Sequence, residues 1–360
     1  MAQSKITKWF IDERPELDVQ TEPILYKYFY IKWYNTLKPS KCVWTNVKPE
    51  LYNISKKISL KNNTNIELYG YFSKSVKKED AFIDLSEITK KKDYIEYGNS
   101  SLLKSQIQKC VRRGDHCKAV RSSFHLMRLD FIAFCRRFPI ICIEDSSMHL
   151  NLNVVYWFMM YGNTSILTKC HIRYILGLVV LVAKSKYTDG DYSDINTDKF
   201  NFRAEWINTS DIPDSNKRNI LFGILTRISY GGMKGDMSLL KRTYLTFKTK
   251  FINNDIDQYL LEKHQSIKIT RYLSLYDILP EAVDFHCYPK ILEKLNKLHP
   301  EIDTVTIKKL IWNNSSSINI RYGNYNKYNE NNENIMKDER WTKIKTDFYR
   351  IGKQFILNCN

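Results

Sequence analysis

Several groups of side chains in this sequence stand at spacings that could do chemistry. Gln3, Ile6, Trp9 and Phe10 fall within one stretch, Gln-Ser-Lys-Ile-Thr-Lys-Trp-Phe. A single tight helical turn brings Ile6, Trp9 and Phe10 to one side as a three-pronged apolar plug, and it leaves the Gln3 amide to hydrogen-bond in a separate polar pocket. This is binding chemistry, in which large aromatic anchors fill pre-formed pockets of a partner. The alternative is an ordinary terminal helix with the three side chains packed back on the body. A second group is basic: Lys104, Lys109, Arg112, Arg113, Lys118 and Arg121. On a pair of helices they would form a ridge for backbone phosphates, giving affinity without sequence readout, with a solvated helix face as the plain alternative. Residues 77–92 form another basic stretch.

The remaining constellations carry weaker signals. Tyr230 to Asp236 (YGGMKGD) is a Gly-rich turn whose amides could approach a phosphate. No helix start in register is expected behind it, so it reads as a tight interhelical connection. Asp284, His286 and Cys287 include metal-ligand types, but the other histidines supply no second pair at metal spacing, and no metal or other cofactor is expected. A Cys–His nucleophile stays open, because its members would meet only in space. The adjacent acids Glu144 and Asp145 read as a helix cap, or as partners of Arg136 or Arg137, before they read as a catalytic pair. None of the 12 glycines belongs to a G-x-x-x-x-G-K-[ST] loop, so nothing is expected to cradle a nucleotide, and a non-enzymatic role is expected.

Composition narrows the partners. A formal charge of +17 favours a polyanion, with nucleic acid as the default. The 43% of apolar residues is ample for a core. The eight cysteines form no C-x-x-C pair and read as reduced thiols. The opening residues carry no secretory h-region, and the apolar run Ile172 to Ala183 is shorter than the about 20 residues a bilayer requires. A soluble intracellular protein with no membrane contact is expected, in a nucleus or at a cytoplasmic viral replication site. The wealth of Asn, Ile, Lys and Tyr suits an AT-rich genome, such as that of a virus or a protist.

The elements that must position these residues divide the chain into five stretches. Residues 1–23 read as a binding tail and an acidic, proline-bearing spacer. Residues 24–99 alternate short aromatic runs with polar clusters and read as a small basic α+β unit. From Ser100 the period becomes helical: Leu103, Ile107, Cys110 and Val111 share one face, Gly114 then Asp115 read as a helix stop and an N-cap, and a second helix follows until Pro139 breaks or kinks it. Helices are expected near Leu152 to Tyr161 and Cys170 to Lys184, which completes a unit over 100–186. A second helical subdomain covers 187–298, beginning with the acidic loop Tyr187 to Lys199. The region 299–360 holds a low-complexity loop, Tyr322 to Asn334, and a last amphipathic helix from Trp341 to Leu357.

Two resemblances rest on these residues. Gln3, Ile6, Trp9 and Phe10 match the sliding-clamp-binding peptide called the PIP box, which implies a clamp of the PCNA type as partner. Ile107 to Ala119 (IQKCVRRGDHCKA) and Phe131 to Asp145 (FIAFCRRFPIICIED) resemble the C-terminal helical domain of the MgsA/RarA family, relatives of clamp-loader ATPases. That resemblance covers about a quarter of the chain and implies a collar-like helical body that can form homo-oligomers. Pro139, and Ser146 and Ser147 after Glu-Asp, depart from the family pattern, and its ATPase module is missing. The fold expected is mainly α, with a small α+β unit before a helical collar-like body. The function expected is a DNA replication or repair accessory factor that binds the clamp and contacts DNA or other replication proteins. A clamp-directed nuclease and a viral structural or nucleic-acid-packaging protein are the alternatives.

Overall fold

The computed structural model describes residues 27–34, 36–73, 100–188, 195–253, 258–321 and 338–357. The peptide 3–10, the acidic spacer, the basic stretch 77–92 and the segment Tyr322 to Asn334 lie outside the described residues, as do the side chains of residues 284–289. Strands β1 (Lys27–Trp33), β2 (Lys41–Thr45), β3 (Ile54–Ser59) and β4 (Asn65–Phe72) form one sheet in the order β2-β1-β4-β3. Its central pair is parallel, and each outer strand runs antiparallel to its neighbour. The two-residue period sends Phe29, Ile31 and Trp33 of β1, with Leu68 and Phe72 of β4, to one buried face. The outer strand β3 exposes Lys56 and Lys57, charges that discourage addition of a further strand.

The other long elements of the described chain are helices, as expected. Helices α1 (Ser100–Arg112) and α2 (His116–Asp145) form the expected hairpin. Gly114 takes the left-handed conformation at φ +68°, and the Asp115 carboxylate accepts from the Lys118 N–H at 3.0 Å, so both local signals act as the residue types require. Pro139 does not break α2. The helix runs through it, and the interruption falls at Asp130 (φ −155°, ψ 89°), whose carboxylate accepts from the Ala133 N–H and caps the second half. An interior proline costs about 3 kcal/mol. Phe134, Phe138, Ile140 and Ile141 around it are all fully buried, and burial of each such side chain is worth about 1.5–3 kcal/mol, so the core overrides the local preference.

Helices α3 (Leu152–Tyr161) and α4 (Lys169–Lys184) lie where the apolar pattern places them. Then follow α5 (Phe202–Ser210), α6 (Ser215–Ser229), α7 (Lys234–Ile252), α8 (Pro280–Leu298) and α9 (Thr304–Ile311). A π-helical turn, Trp312–Ser316, extends α9, and α10 (Glu339–Leu357) packs on α8. Trp341, Ile344, Phe348 and Ile351 of α10 are buried, while Phe355 of the expected stripe is half-buried. Helices α5 and α9, at nine and eight residues, have no counterpart among the expected elements. Helices that short are marginal alone, and tertiary burial of Trp206, Ile307 and Leu310 holds them. Among the described residues no helix is long and apolar enough to cross a membrane.

The sheet closes no core of its own. Its inner face joins the helices in one continuous apolar cluster. The Trp157 indole N–H of α3 reaches the Tyr69 and Phe29 carbonyls at 3.2 and 3.3 Å. Trp44 stacks on Phe29 at 4.2 Å, and its backbone N–H donates to Asn219 Oδ1 of α6. Where sheet meets helices, His171 lies 4.4 Å from the Trp33 ring, and its Nδ1 accepts from the Thr168 N–H at 3.2 Å. Burial pulls its pKa down to about 3. A histidine whose folded pKa lies below its unfolded value of about 6.5 leaves the unfolded chain binding more protons, so stability falls as pH drops below about 6.5. Between pH 7 and pH 5 His171 is expected to remove about 2 kcal/mol of unfolding free energy. Urea titrations of wild type and His171→Gln at the two pH values check this: the difference between the two slopes belongs to His171, and equal pH dependence would refute the assignment.

Candidate functional site

Of the six basic residues expected to form one exposed ridge, five are turned inward or paired within the protein, which corrects that expectation. Lys109 and Arg112 are only 3% and 7% exposed. The Arg112 guanidinium pairs with Asp145 through Nε, reaches Glu144 Oε1 at 3.1 Å and donates to the Ser316 carbonyl at 2.8 Å. Arg113 pairs with Glu281 at 3.0 Å, Lys118 with Asp115 at 3.0 Å, and Arg121 with Asp277. The physical reason is compensation. Acids from α2, α8 and the segment before α8 meet these cations in space, and a cation removed from water must be matched. Lys104 remains half-buried at the mouth of a cleft.

The pair Glu144 and Asp145 likewise takes a structural place. Arg112 holds both acids, Arg137 reaches Glu144 at 3.7 Å, and Arg136 turns away to the Tyr230 carbonyl. Burial and the neighbouring Asp145 raise the Glu144 pKa, with Arg112 and Arg137 opposing. Among the described residues no three His, Cys, Asp or Glu side chains group as a metal site. Gln3, Ile6, Trp9 and Phe10 lie outside the described residues.

Arg321 carried no signal in the sequence, where it stands next to a low-complexity stretch. In the fold its guanidinium donates to Val111 O and Asp145 O from Nη1, to Val182 O and Ala183 O from Nη2, and to Ser185 O from Nε, at 2.7–3.1 Å. These carbonyls belong to the last turns of α1, α2 and α4 and to Ser185, the residue that caps α4. One cation satisfies three helix ends and lies where three dipoles are negative.

On the other side of α1 and α2, a cleft of about 460 Å³ opens between four helices. Helix α1 supplies Lys104, Ser105 and Gln108, α2 supplies Asp130, Ala133, Arg136 and Arg137, α6 supplies Arg227, and the Gly232–Met233 turn leads into α7 with Asp236. A helix does start behind the Gly-rich turn, against expectation. Gly231 stands at φ +66°, α7 begins at Lys234, and its N-cap residue Met233 provides no side-chain acceptor. The capped start of the second half of α2, at Asp130, opens into the same cleft. Arg137 is fully engaged, by Gln108 at 2.7 Å and by Asp236 at 3.3 Å. Arg227 is 3% exposed and donates from Nε to Arg136 O and from Nη1 to Gly231 O, both at 2.7 Å. Burial, and then the Arg136 charge, bring its pKa down to about 10. Chemically the cleft offers donors and positive charge, with the carboxylates already committed to Arg137 and to a helix cap.

No family model, no curated protein and no solved structure matches this chain.

Proposed function

We propose that the protein is a non-enzymatic accessory factor of DNA replication or repair, which binds a sliding clamp through Gln3, Ile6, Trp9 and Phe10 and contacts DNA or another replication protein with its helical body. The observation that carries this reading is the spacing of those four residues, which suits a one-turn plug with a glutamine anchor. The formal charge of +17 supports it through the phosphate affinity such a balance confers. The likeness of residues 100–185 to the C-terminal helical domain of the MgsA/RarA family supports it from a second direction. A tether also lowers the DNA affinity the body requires, since a partner held at one contact meets the second at high effective concentration.

Calorimetric titration of the sliding clamp of the source organism tests the reading. The full chain is expected to bind with micromolar or tighter affinity. The double variant Trp9→Ala, Phe10→Ala is expected to lose at least about a hundredfold, since aromatic anchors of this kind cost about 2–4 kcal/mol each on truncation. No binding by the full chain, or equal binding by the variant, would refute it.

A further inference from the structure

The cleft between α1, α2, α6 and α7 contains unused hydrogen-bonding capacity. Arg227 is nine-tenths buried, yet its Nη2 has no hydrogen-bond acceptor among the described residues, and no carboxylate lies within ion-pair distance of the guanidinium. Gly232 lies beside that nitrogen: a Cβ there would stand 3.5 Å from Nη2, in ordinary contact. Ser105, 4% exposed on the wall contributed by α1, has a hydroxyl with no partner among the described residues. Buried polar groups are ordinarily paired, so one orphaned hydroxyl, beside an arginine nitrogen on the cleft lining that has no acceptor among the described residues, points to an absent acceptor. The first turn of α7 adds backbone N–H groups with no side-chain cap, and a Cβ at Gly235 would meet open space. Charge agrees with the donors. Lys104, Arg136, Arg137 and Arg227 face Asp130 and Asp236, four cations to two acids.

We propose that this cleft binds a phosphoryl group, held by Arg227 Nη2, the Arg136 guanidinium, the Ser105 hydroxyl and the first-turn amides of α7. An oxyanion with several acceptor oxygens is the ligand that satisfies all four donors at once. Arg137 takes no part, because Asp236 and Gln108 occupy it. The naming of a DNA strand as the carrier of that phosphate rests on the proposed function. The phosphoryl preference itself rests only on the cleft.

Inorganic phosphate is the first probe, titrated calorimetrically into the full chain at low salt. Saturable one-site binding is expected, weakened about tenfold by Ser105→Ala and about tenfold or more by Arg136→Gln. The first variant deletes one small hydroxyl and the second alters an exposed side chain, so both retain the fold. Absence of saturation, or equal affinity in wild type and both variants, overturns the proposal. A labelled single-stranded oligonucleotide is the second probe. Binding that inorganic phosphate displaces, and that the same variants weaken, places the group on a strand. Phosphate binding without oligonucleotide binding supports the site and overturns the strand as its carrier. The clamp titration uses residues remote in sequence from the cleft, so it fails or succeeds independently.

Discussion

Arg321→Met is expected to lower the unfolding free energy by about 3–5 kcal/mol, the scale seen when a buried charged hydrogen-bonding hub is removed. The loss has three parts. Five carbonyls lose the Arg321 guanidinium. Those of Val111, Asp145 and Val182 keep the Gly114 N–H, the Asn319 amide and the Ser146 hydroxyl, while for those of Ala183 and Ser185 an orphaned buried acceptor costs about 1–3 kcal/mol before relaxation and water recover part of it. The C-terminal dipoles of α1, α2 and α4 lose their one shared cation. The segment carrying Arg321 also loosens, although the Ile320 N–H still donates to Arg112 O and Asn319 still donates to Asp145 O. Arg321→Lys is expected to recover less than half, because an ammonium cannot match the planar fork that reaches five acceptors. Urea unfolding followed by far-ultraviolet circular dichroism measures both, and a loss under about 1 kcal/mol in the methionine variant would show that the helix ends find other donors.

The second large effect concerns Arg112 and Asp145. Asp145 is 2% exposed, receives Arg112 Nε and accepts from Gln108 Nε2 at 2.8 Å. Asp145→Ala leaves the Arg112 charge buried with Glu144 as its remaining acid and is expected to cost about 3–5 kcal/mol. The double variant Arg112→Met, Asp145→Leu removes both charges and fills the space. It is expected to be more stable than Asp145→Ala alone, because desolvation of two ions is no longer required. A double-mutant cycle in urea should yield a coupling of at least about 1 kcal/mol, and strict additivity would sink this account of the pair.

Both predictions concern residues whose roles were unequally legible beforehand. Gly114 and Asp115 announced a helix end and a helix start, and they act so, because a left-handed stop and an N-cap depend only on neighbours within four residues. The apolar period likewise located α3 and α4. Pro139 misled for the opposite reason: its local cost is real, but Phe134, Phe138, Ile140 and Ile141 repay it through contacts that no window of sequence displays. Five of the six basic residues misled similarly, since Arg112 meets Asp145 across 33 positions and Arg121 meets Asp277 across 156.

The candidate cleft divides along the same line. Its Gly-rich turn was visible, because glycines at positive φ are a property of the residues themselves. That Arg227, Arg136 and Ser105 would surround that turn was not, since they come from three different helices. By itself, then, the sequence determined the helical class, the small sheet, most helix boundaries and the charge of +17, all of which follow from local preference, periodicity or simple counting. Only the tertiary structure decided which charges are neutralised within the fold and which face an open cleft. Electrostatic pairing depends on distance in space and on burial, and neither quantity is a function of position along the chain.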